Sequence, residues 1–190
     1  MGRLHRLVLA SASPRRRAIL RAAGVSFTVD PSGVDENVRL KDPRRLVVRL
    51  ARLKALDVAK RHPGRPVLGA DTLVVCRGEV LGKPKDLKDA VRMITLQSGR
   101  SQRVYTGTAL VWRGRVYTDC AVSIVVARRL DAESLRRLAG KHMDKAGAYA
   151  IQDRKDPLVS RVIGDRDNVT GLPMRSVRRL LARARRPRGS

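Results

Sequence analysis

Val67-Leu-Gly-Ala-Asp-Thr-Leu-Val-Val75 is the stretch that decides the fold of this chain. It is an apolar run of strand length, interrupted only by Gly69, Asp71 and Thr72, and it predicts a central β-strand. A carboxylate inside such a strand costs free energy unless it is hydrogen-bonded, paired or bound to a metal. Asp71 and Thr72 are therefore expected at a sheet edge, where α/β proteins bind ligands, although a purely structural aspartate is the alternative.

Apolar runs of strand length alternate with segments of helical spacing on both sides of this strand. The other predicted strands are residues 7–10, 25–29, 80–81, 104–112 and 116–126, with a short turn and strand at 147–151. The predicted helices are residues 15–23, 42 to about 60, 87–96, 132–139 and 173 to about 183. The sequence therefore predicts an α/β fold whose sheet is mixed, because residues 104–126 form a hairpin.

The length and charge of the chain restrict its function. Its 190 residues suit one compact domain or one domain with two lobes, followed by a basic tail from about residue 184. The 42 Lys and Arg against 17 Asp and Glu give a formal net charge of +25, which attracts partners that bear phosphate. Only 3% of the residues are aromatic, too few for many base-stacking contacts, so specific nucleic-acid recognition is not expected.

The cysteines and apolar runs predict a cytoplasmic location. Cys76 and Cys120 have no metal-ligand spacing, and they are expected as two buried thiols or as a single disulfide. The N-terminus has too short an apolar stretch for a signal peptide, and no run approaches about 18 apolar residues. The sequence therefore predicts neither secretion nor a membrane span.

A candidate anion site follows the first predicted strand. Ser11 and Ser13 supply two hydroxyls directly before a helix N-terminus, where backbone N–H groups favour an anion. Arg15 and Arg16 add planar guanidinium donors that match phosphate oxygens. A capped helix with exposed arginines is the alternative interpretation of the same residues.

Three further features have the chemistry of a nucleotide site. Lys83 stands between glycine and proline, in a rigid loop that could direct an ammonium at a phosphate. Asp35 and Glu36 form an acidic pair that could hold a divalent ion. Tyr149 offers an aromatic face and Gln152 an amide that can pair with a base edge. Each feature has an alternative interpretation. Lys83 could lie in an ordinary turn, and Asp35 and Glu36 could be a solvated acidic pair. Tyr149 could be a core residue and Gln152 a surface residue.

Taken together, these segments resemble the Maf family, the septum-formation proteins that act as nucleotide pyrophosphatases. The resemblance covers almost the whole chain, in the family's order. The matching segments are Leu9-Ala-Ser-Ala-Ser-Pro-Arg-Arg16, Ala51-Arg-Leu-Lys-Ala55, Gly69-Ala-Asp-Thr-Leu-Val-Val75, Val80-Leu-Gly-Lys-Pro-Lys-Asp86, Leu96-Gln-Ser-Gly-Arg-Ser101, Val104-Tyr-Thr-Gly107, Asp144-Lys-Ala-Gly-Ala-Tyr149 and Asn168-Val-Thr-Gly-Leu-Pro-Met174.

The resemblance implies a fold, a reaction and a cofactor. The fold is an elongated mixed sheet flanked by helices, with a central cleft, in one two-lobed domain related to the inosine triphosphate pyrophosphatases. The reaction is hydrolysis between the α- and β-phosphates of a nucleoside triphosphate. The cofactor is a divalent cation, magnesium or manganese, and the partners are the nucleotide and, in a homodimer, a second copy of the chain.

The resemblance also assigns residues to this reaction. Asp71 matches the proposed proton acceptor, and with Glu36 it is expected to hold the metal. The catalytic set is completed by two lysines, Lys54 and Lys83. The residues expected to bind the substrate or select it are Arg15, Thr72, Gln152, Ser11, Ser13 and Arg16.

The segment that ends at Gln152 resembles the branch of the family that prefers dTTP and UTP. The chain departs from the family at residues 153–157, where a glycine-rich turn is usual, and at Gln102, where histidine is frequent. Two alternative functions are compatible with the same folded core. The chain could be a basic nucleic-acid-binding protein, or a division regulator that binds nucleotides without turnover.

Overall fold

The computed structural model describes residues 7–38, 40–143, 145–149 and 157–186. The strands are β1 (Leu7–Leu9), β2 (Phe27–Val29), β3 (Val67–Cys76), β4 (Glu79–Leu81), β5 (Ser101–Trp112), β6 (Arg115–Ala127) and β7 (Val159–Ile163). The helices are α1 (Pro14–Ala22), α2 (Pro43–Ala59), α3 (Leu87–Gln97), α4 (Ala132–Leu138), α5 (Arg166–Thr170) and α6 (Met174–Arg185), with a 3₁₀ turn at Ala146–Ala148.

Within these ranges the strands form one seven-stranded sheet in the order β2-β1-β3-β5-β6-β7, with β4 paired to β3. The pairs β1–β2 and β1–β3 are parallel, and the pairs β3–β4 and β6–β7 are antiparallel. Parallel neighbours need a crossover connection, here supplied by α1 and α2, whereas a short turn can join antiparallel ones, as it does between β3 and β4. The predicted mixed α/β sheet is therefore confirmed.

The described residues group into two compact units. The first unit contains the chain up to Asp71, Thr106–Ala121 and the residues from Gly171 onward, and the second contains Thr72–Tyr105 and Val122–Thr170. One apolar cluster of the first unit packs β1, β3 and β5 against α1 and α6, and another packs the same strands against α2. The cluster of the second unit joins β3–β6 with α3 and α4.

Local sequence explains where the helices begin. Pro14 occupies the first turn of α1, and the Ser13 hydroxyl caps that helix by accepting from the backbone N–H of Arg16 at 3.5 Å. Asp42 caps α2 and Asp86 caps α3 in the same way, with a carboxylate oxygen as the acceptor. The helix cap expected directly before α1 is confirmed at Ser13.

Two elements differ from the sequence-based expectation. Strand β7 and the short helix α5 were not predicted, because β7 has no clear alternation and α5 is too short to show a helical period. The turn expected at the start of residues 147–151 is confirmed, because Gly147 has a left-handed φ of 74° inside the 3₁₀ turn. Residues 150 and 151 lie outside the described residues.

The structure also tests the expected state of the two cysteines and the expected absence of a membrane span. Both Cys76 and Cys120 are free thiols, so the alternative of a disulfide is wrong. Cys76 is buried as predicted, whereas Cys120 is only half-buried. Burial raises the pKa of both thiols, which lowers their reactivity. Among the described residues, no helix has the length and apolar character needed to cross a membrane.

Candidate active site

A buried ion pair lies in the first unit. Asp71, on β3, is only 7% exposed, and its Oδ1 accepts a hydrogen bond from Lys54 Nζ at 2.7 Å. The same ammonium lies 2.9 Å from Oε2 of Glu36, which is on the loop between β2 and α2. Lys54 is itself 9% exposed, whereas the Glu36 side chain is 60% exposed. The ammonium therefore links a buried carboxylate to one that faces solvent.

Two glycines bring helix α2, which carries Lys54, against the sheet. A Cβ on Gly69 would overlap the carbonyl oxygen of Ala51 and lie 2.8 Å from the backbone nitrogen of Ala55. A Cβ on Gly107 of β5 would overlap the Val47 carbonyl in the same manner. The backbone of α2 thus rests directly on β3 and β5, which places Lys54 within hydrogen-bond distance of Asp71.

A second polar cluster surrounds the N-terminus of α1. Arg16 Nη1 donates to Ser11 Oγ at 2.9 Å, and Arg16 Nε donates to the carbonyl oxygen of Gly171 at 2.9 Å. The backbone N–H of Ser13 also donates to Ser11 Oγ, at 3.3 Å. These contacts hold the half-buried Arg16 guanidinium in one orientation, as recognition of a phosphate by a planar donor requires.

Burial shifts the pKa of two charged groups in this unit. It raises the pKa of the Asp71 carboxyl above the ordinary value of 3.8, against the opposing effects of the Lys54 ammonium and the Arg16 guanidinium. It lowers the pKa of Arg16, against the opposing effect of the Asp71 carboxylate. Asp71 is therefore a stronger base than an ordinary aspartate, which suits a group that takes a proton from water.

The carboxylates of Asp71 and Glu36 fit the divalent cation that the sequence resemblance implies. Both offer oxygen ligands, which magnesium and manganese prefer, and both contact the Lys54 nitrogen, so the Lys54 ammonium lies between them. Across the part of the chain that the structure describes, no group of three or more His, Cys, Asp or Glu could hold a metal ion. Two carboxylates fit a magnesium ion whose coordination is completed by substrate phosphates.

The structure brings six of the predicted residues into the first unit as connected clusters: Ser11, Ser13, Arg16, Glu36, Lys54 and Asp71. Arg15 is half-buried beside them, and its positive charge contributes to the lowered pKa of Arg16. Thr72 follows Asp71 in β3 and, like the exposed Lys83 after β4, belongs to the second unit. Gln152 and residues 153–156 lie outside the described residues.

Sequence reasoning missed the roles of three glycines. Gly171 supplies the carbonyl that anchors Arg16, and Gly69 and Gly107 admit helix α2. All three lie inside motifs of the sequence resemblance, which signalled that they matter. A carbonyl acceptor 155 positions away from its donor leaves no local pattern that could identify its role.

One family of known proteins matches almost the whole chain. The family described as Maf-like protein matches residues 6–184. The chain belongs to that family. A dTTP/UTP pyrophosphatase of Elusimicrobium minutum is 47% identical over 89% of this chain and 93% of the relative. A dTTP/UTP pyrophosphatase of Moorella thermoacetica is 47% identical over 94% of this chain and 95% of the relative.

The fold is also similar to that of a solved structure. The Ham1 protein of Staphylococcus aureus superposes with a TM-score of 0.50 and 13% sequence identity, over 92% of this chain and 95% of that chain. At this identity the likeness concerns the fold alone. It supports the mixed sheet flanked by helices that the sequence of this Maf-like protein predicts.

Proposed function

We propose that this Maf-like protein hydrolyses dTTP and UTP to the nucleoside monophosphate and pyrophosphate. The observation that carries the proposal is the buried Asp71 carboxylate, joined through Lys54 to Glu36. A buried carboxylate with a raised pKa beside fixed cations is typical of catalytic sites. Relatives at 46–47% identity over most of the chain are named dTTP/UTP pyrophosphatase, which supports this reaction and these substrates.

Fixed cations would bind the triphosphate. A nucleoside triphosphate carries about four negative charges, so an incoming water can reach phosphorus only when that charge is neutralised. Arg16 is held by Ser11 and Gly171 and needs no reorganisation to present its donors. Arg15 and Lys54 add positive charge in the same unit. The family resemblance assigns Lys83 to the same reaction, and that role stays a prediction.

Asp71 is proposed to accept the proton of the attacking water. The water oxygen forms a bond to the α-phosphorus, the bond from that phosphorus to the α–β bridging oxygen breaks, and pyrophosphate leaves. Asp71 and Glu36 would hold the divalent cation, which supplies charge neutralisation at the phosphates and a more acidic water. Lys54 would keep both carboxylates oriented towards the same place.

A turnover panel tests the proposal. The protein is incubated with dTTP, UTP, dCTP and dATP in the presence of magnesium or manganese, and monophosphate and pyrophosphate are quantified. We expect turnover of dTTP and UTP above that of the other two nucleotides. Removal of divalent ions with EDTA should abolish it, and added magnesium or manganese should restore it. Nucleotide or nucleic-acid binding without release of pyrophosphate would contradict the proposal.

The pKa of Asp71 predicts the pH dependence of this reaction. The carboxylate must be ionised to accept a proton, so kcat/KM should fall as decreasing pH protonates Asp71. In the variant Lys54→Met the opposing positive charge is lost, and the acidic limb of the residual activity should move to higher pH. Lys60→Met, on an exposed lysine at the end of α2, is the control and should leave the limb in place. An unchanged limb in Lys54→Met would argue against Asp71 as the base.

Three expectations accompany this proposal and stay predictions. They are the cytoplasmic location, the homodimer, and the part of Thr72 and Gln152 in selecting the base.

A further inference from the structure

Gln97 is a buried amide that the proposed chemistry does not use. It is the last residue of α3 and has no exposed surface. Its Nε2 donates to the carbonyl oxygen of Met93 at 2.9 Å, within the helix, and to that of Gly147 at 2.7 Å. Glutamine is mostly found on protein surfaces, so a fully buried one that reaches a loop 50 positions away needs an explanation.

The loop that Gln97 holds is linked to a second loop. The backbone N–H of Gly147 donates to the carbonyl oxygen of Gly82 at 3.0 Å. Gly82 directly precedes Lys83, and the peptide groups of Gly147 thus connect α3 on one side to the lysine loop on the other. All of these residues belong to the second unit.

Neither a side chain at Gly147 nor a reversed amide at Gln97 fits the contact between these two residues. Gly147 has a φ of 74°, which side chains disfavour, and a Cβ there would lie 3.1 Å from Gln97 Oε1 and 3.0 Å from the Tyr149 ring. Reversing the amide would turn Oε1 towards two carbonyl oxygens, so the NH₂ group must face them. Among the described residues Oε1 has no hydrogen-bond partner, and an unsatisfied buried acceptor is destabilising. The contribution of this side chain therefore comes from its NH₂ donors.

We propose that Gln97 is a positioning residue for nucleotide selection. This inference rests on the proposed function. The amide fixes the loop of residues 145–149, and Gly147 transmits that constraint to the loop of Lys83. The family resemblance predicts that Lys83 contacts the phosphates and that Gln152, three positions after Tyr149 in the sequence, selects the base. Gln97 touches neither the substrate nor the reacting atoms, and it acts through the two loops.

A matched pair of variants tests this role. Gln102 on β5 is also buried, at 1% exposure, it lies in the same unit, and its amide atoms have no partner within the ranges that the structure describes. Gln97→Met and Gln102→Met therefore make the same isosteric change at two buried positions, and only the first removes donors from carbonyl groups. Thermal unfolding measures the structural effect, and KM and kcat for dTTP, UTP, dCTP and dATP measure the positioning effect.

For Gln97→Met we expect KM for dTTP to rise about tenfold and the kcat/KM ratio of dTTP to dCTP to fall about tenfold, because two buried carbonyls lose a donor. Hydrogen exchange should also become faster in peptides that cover residues 82–85 and 145–149. Gln102→Met should keep KM and the dTTP to dCTP ratio within about twofold of wild type.

If a folded Gln97→Met variant keeps the wild-type KM and selectivity, the inference is overturned. Turnover of dTTP by the wild-type protein would in that case still support the proposed function. Absence of wild-type turnover would instead overturn the proposed function and this inference with it. If Gln97→Met does not fold, Gly147→Ala disturbs the same contact from the loop side, and it should show the same loss of selectivity. A folded Gly147→Ala variant with wild-type selectivity would overturn the inference as well.

Discussion

The Asp71→Asn variant is expected to lose about a thousandfold or more in kcat for dTTP while it keeps the fold. Asparagine fills nearly the same volume, but it cannot accept a proton at neutral pH and is a poorer ligand for a divalent ion. The fold should survive because Lys54 retains Glu36 as a partner and the removed charge was largely buried. Steady-state release of pyrophosphate gives kcat, and circular dichroism with thermal unfolding checks the fold.

Asp119→Asn is the matched control for this prediction. Asp119 is a half-buried carboxylate on a strand of the first unit, and its Oδ2 lies 2.8 Å from Arg179 Nη2 in a salt bridge. Loss of that pair should leave kcat within about twofold of wild type, because neither residue belongs to the proposed site. Near wild-type turnover in Asp71→Asn, or an equal loss in Asp119→Asn, would remove Asp71 from its central role.

Gly69→Ala is expected to lower the free energy of unfolding by about 3 kcal/mol or more. The added Cβ would overlap the Ala51 carbonyl and press on the Ala55 nitrogen, which are backbone atoms and cannot move aside by changing a rotamer. Helix α2 must therefore shift away from β3. Any folded fraction should also lose turnover, because that shift moves Lys54 away from Asp71. Chemical denaturation and turnover of the same sample measure both effects.

Gly33→Ala controls for the general effect of replacing a glycine. A Cβ at Gly33 would meet no atom within 4 Å, and the hydrogen bond from its backbone N–H to Asp57 does not depend on the side chain. The free energy of unfolding should stay within about 1 kcal/mol of wild type, and turnover should be unchanged. If Gly69→Ala were equally mild, close backbone contact would not be what places α2.

Much of the fold could be predicted because its signals are local. The apolar run at residues 67–75 became β3, and the caps Ser13, Asp42 and Asp86 mark the starts of α1, α2 and α3. These signals need only a few neighbouring residues. Strand β7 could not be predicted, because its pairing with β6 gives it its structure and its own five residues carry no alternating pattern.

The residues of the candidate site could be predicted from the sequence, but the hydrogen bonds and ion pairs between them could not. The buried carboxylate on β3 suggested Asp71, and the hydroxyls and arginines before α1 suggested a binding site for phosphate. Nothing in the sequence near Lys54 shows that its ammonium joins Asp71 to Glu36, since the partners are far apart in the chain. The same holds for the carbonyl of Gly171, which orients Arg16.

The sequence by itself determined the order of the elements and the membership of the Maf-like family, because periodicity, capping residues and ordered motifs are properties of short segments. Only the tertiary structure decided that Lys54 bridges two carboxylates, that Gly69 admits helix α2, and that Gln97 holds the loop at Gly147. Each of these depends on two segments that packing brings together, and hydrogen bonds across such distances are fixed by the fold rather than by neighbouring residues.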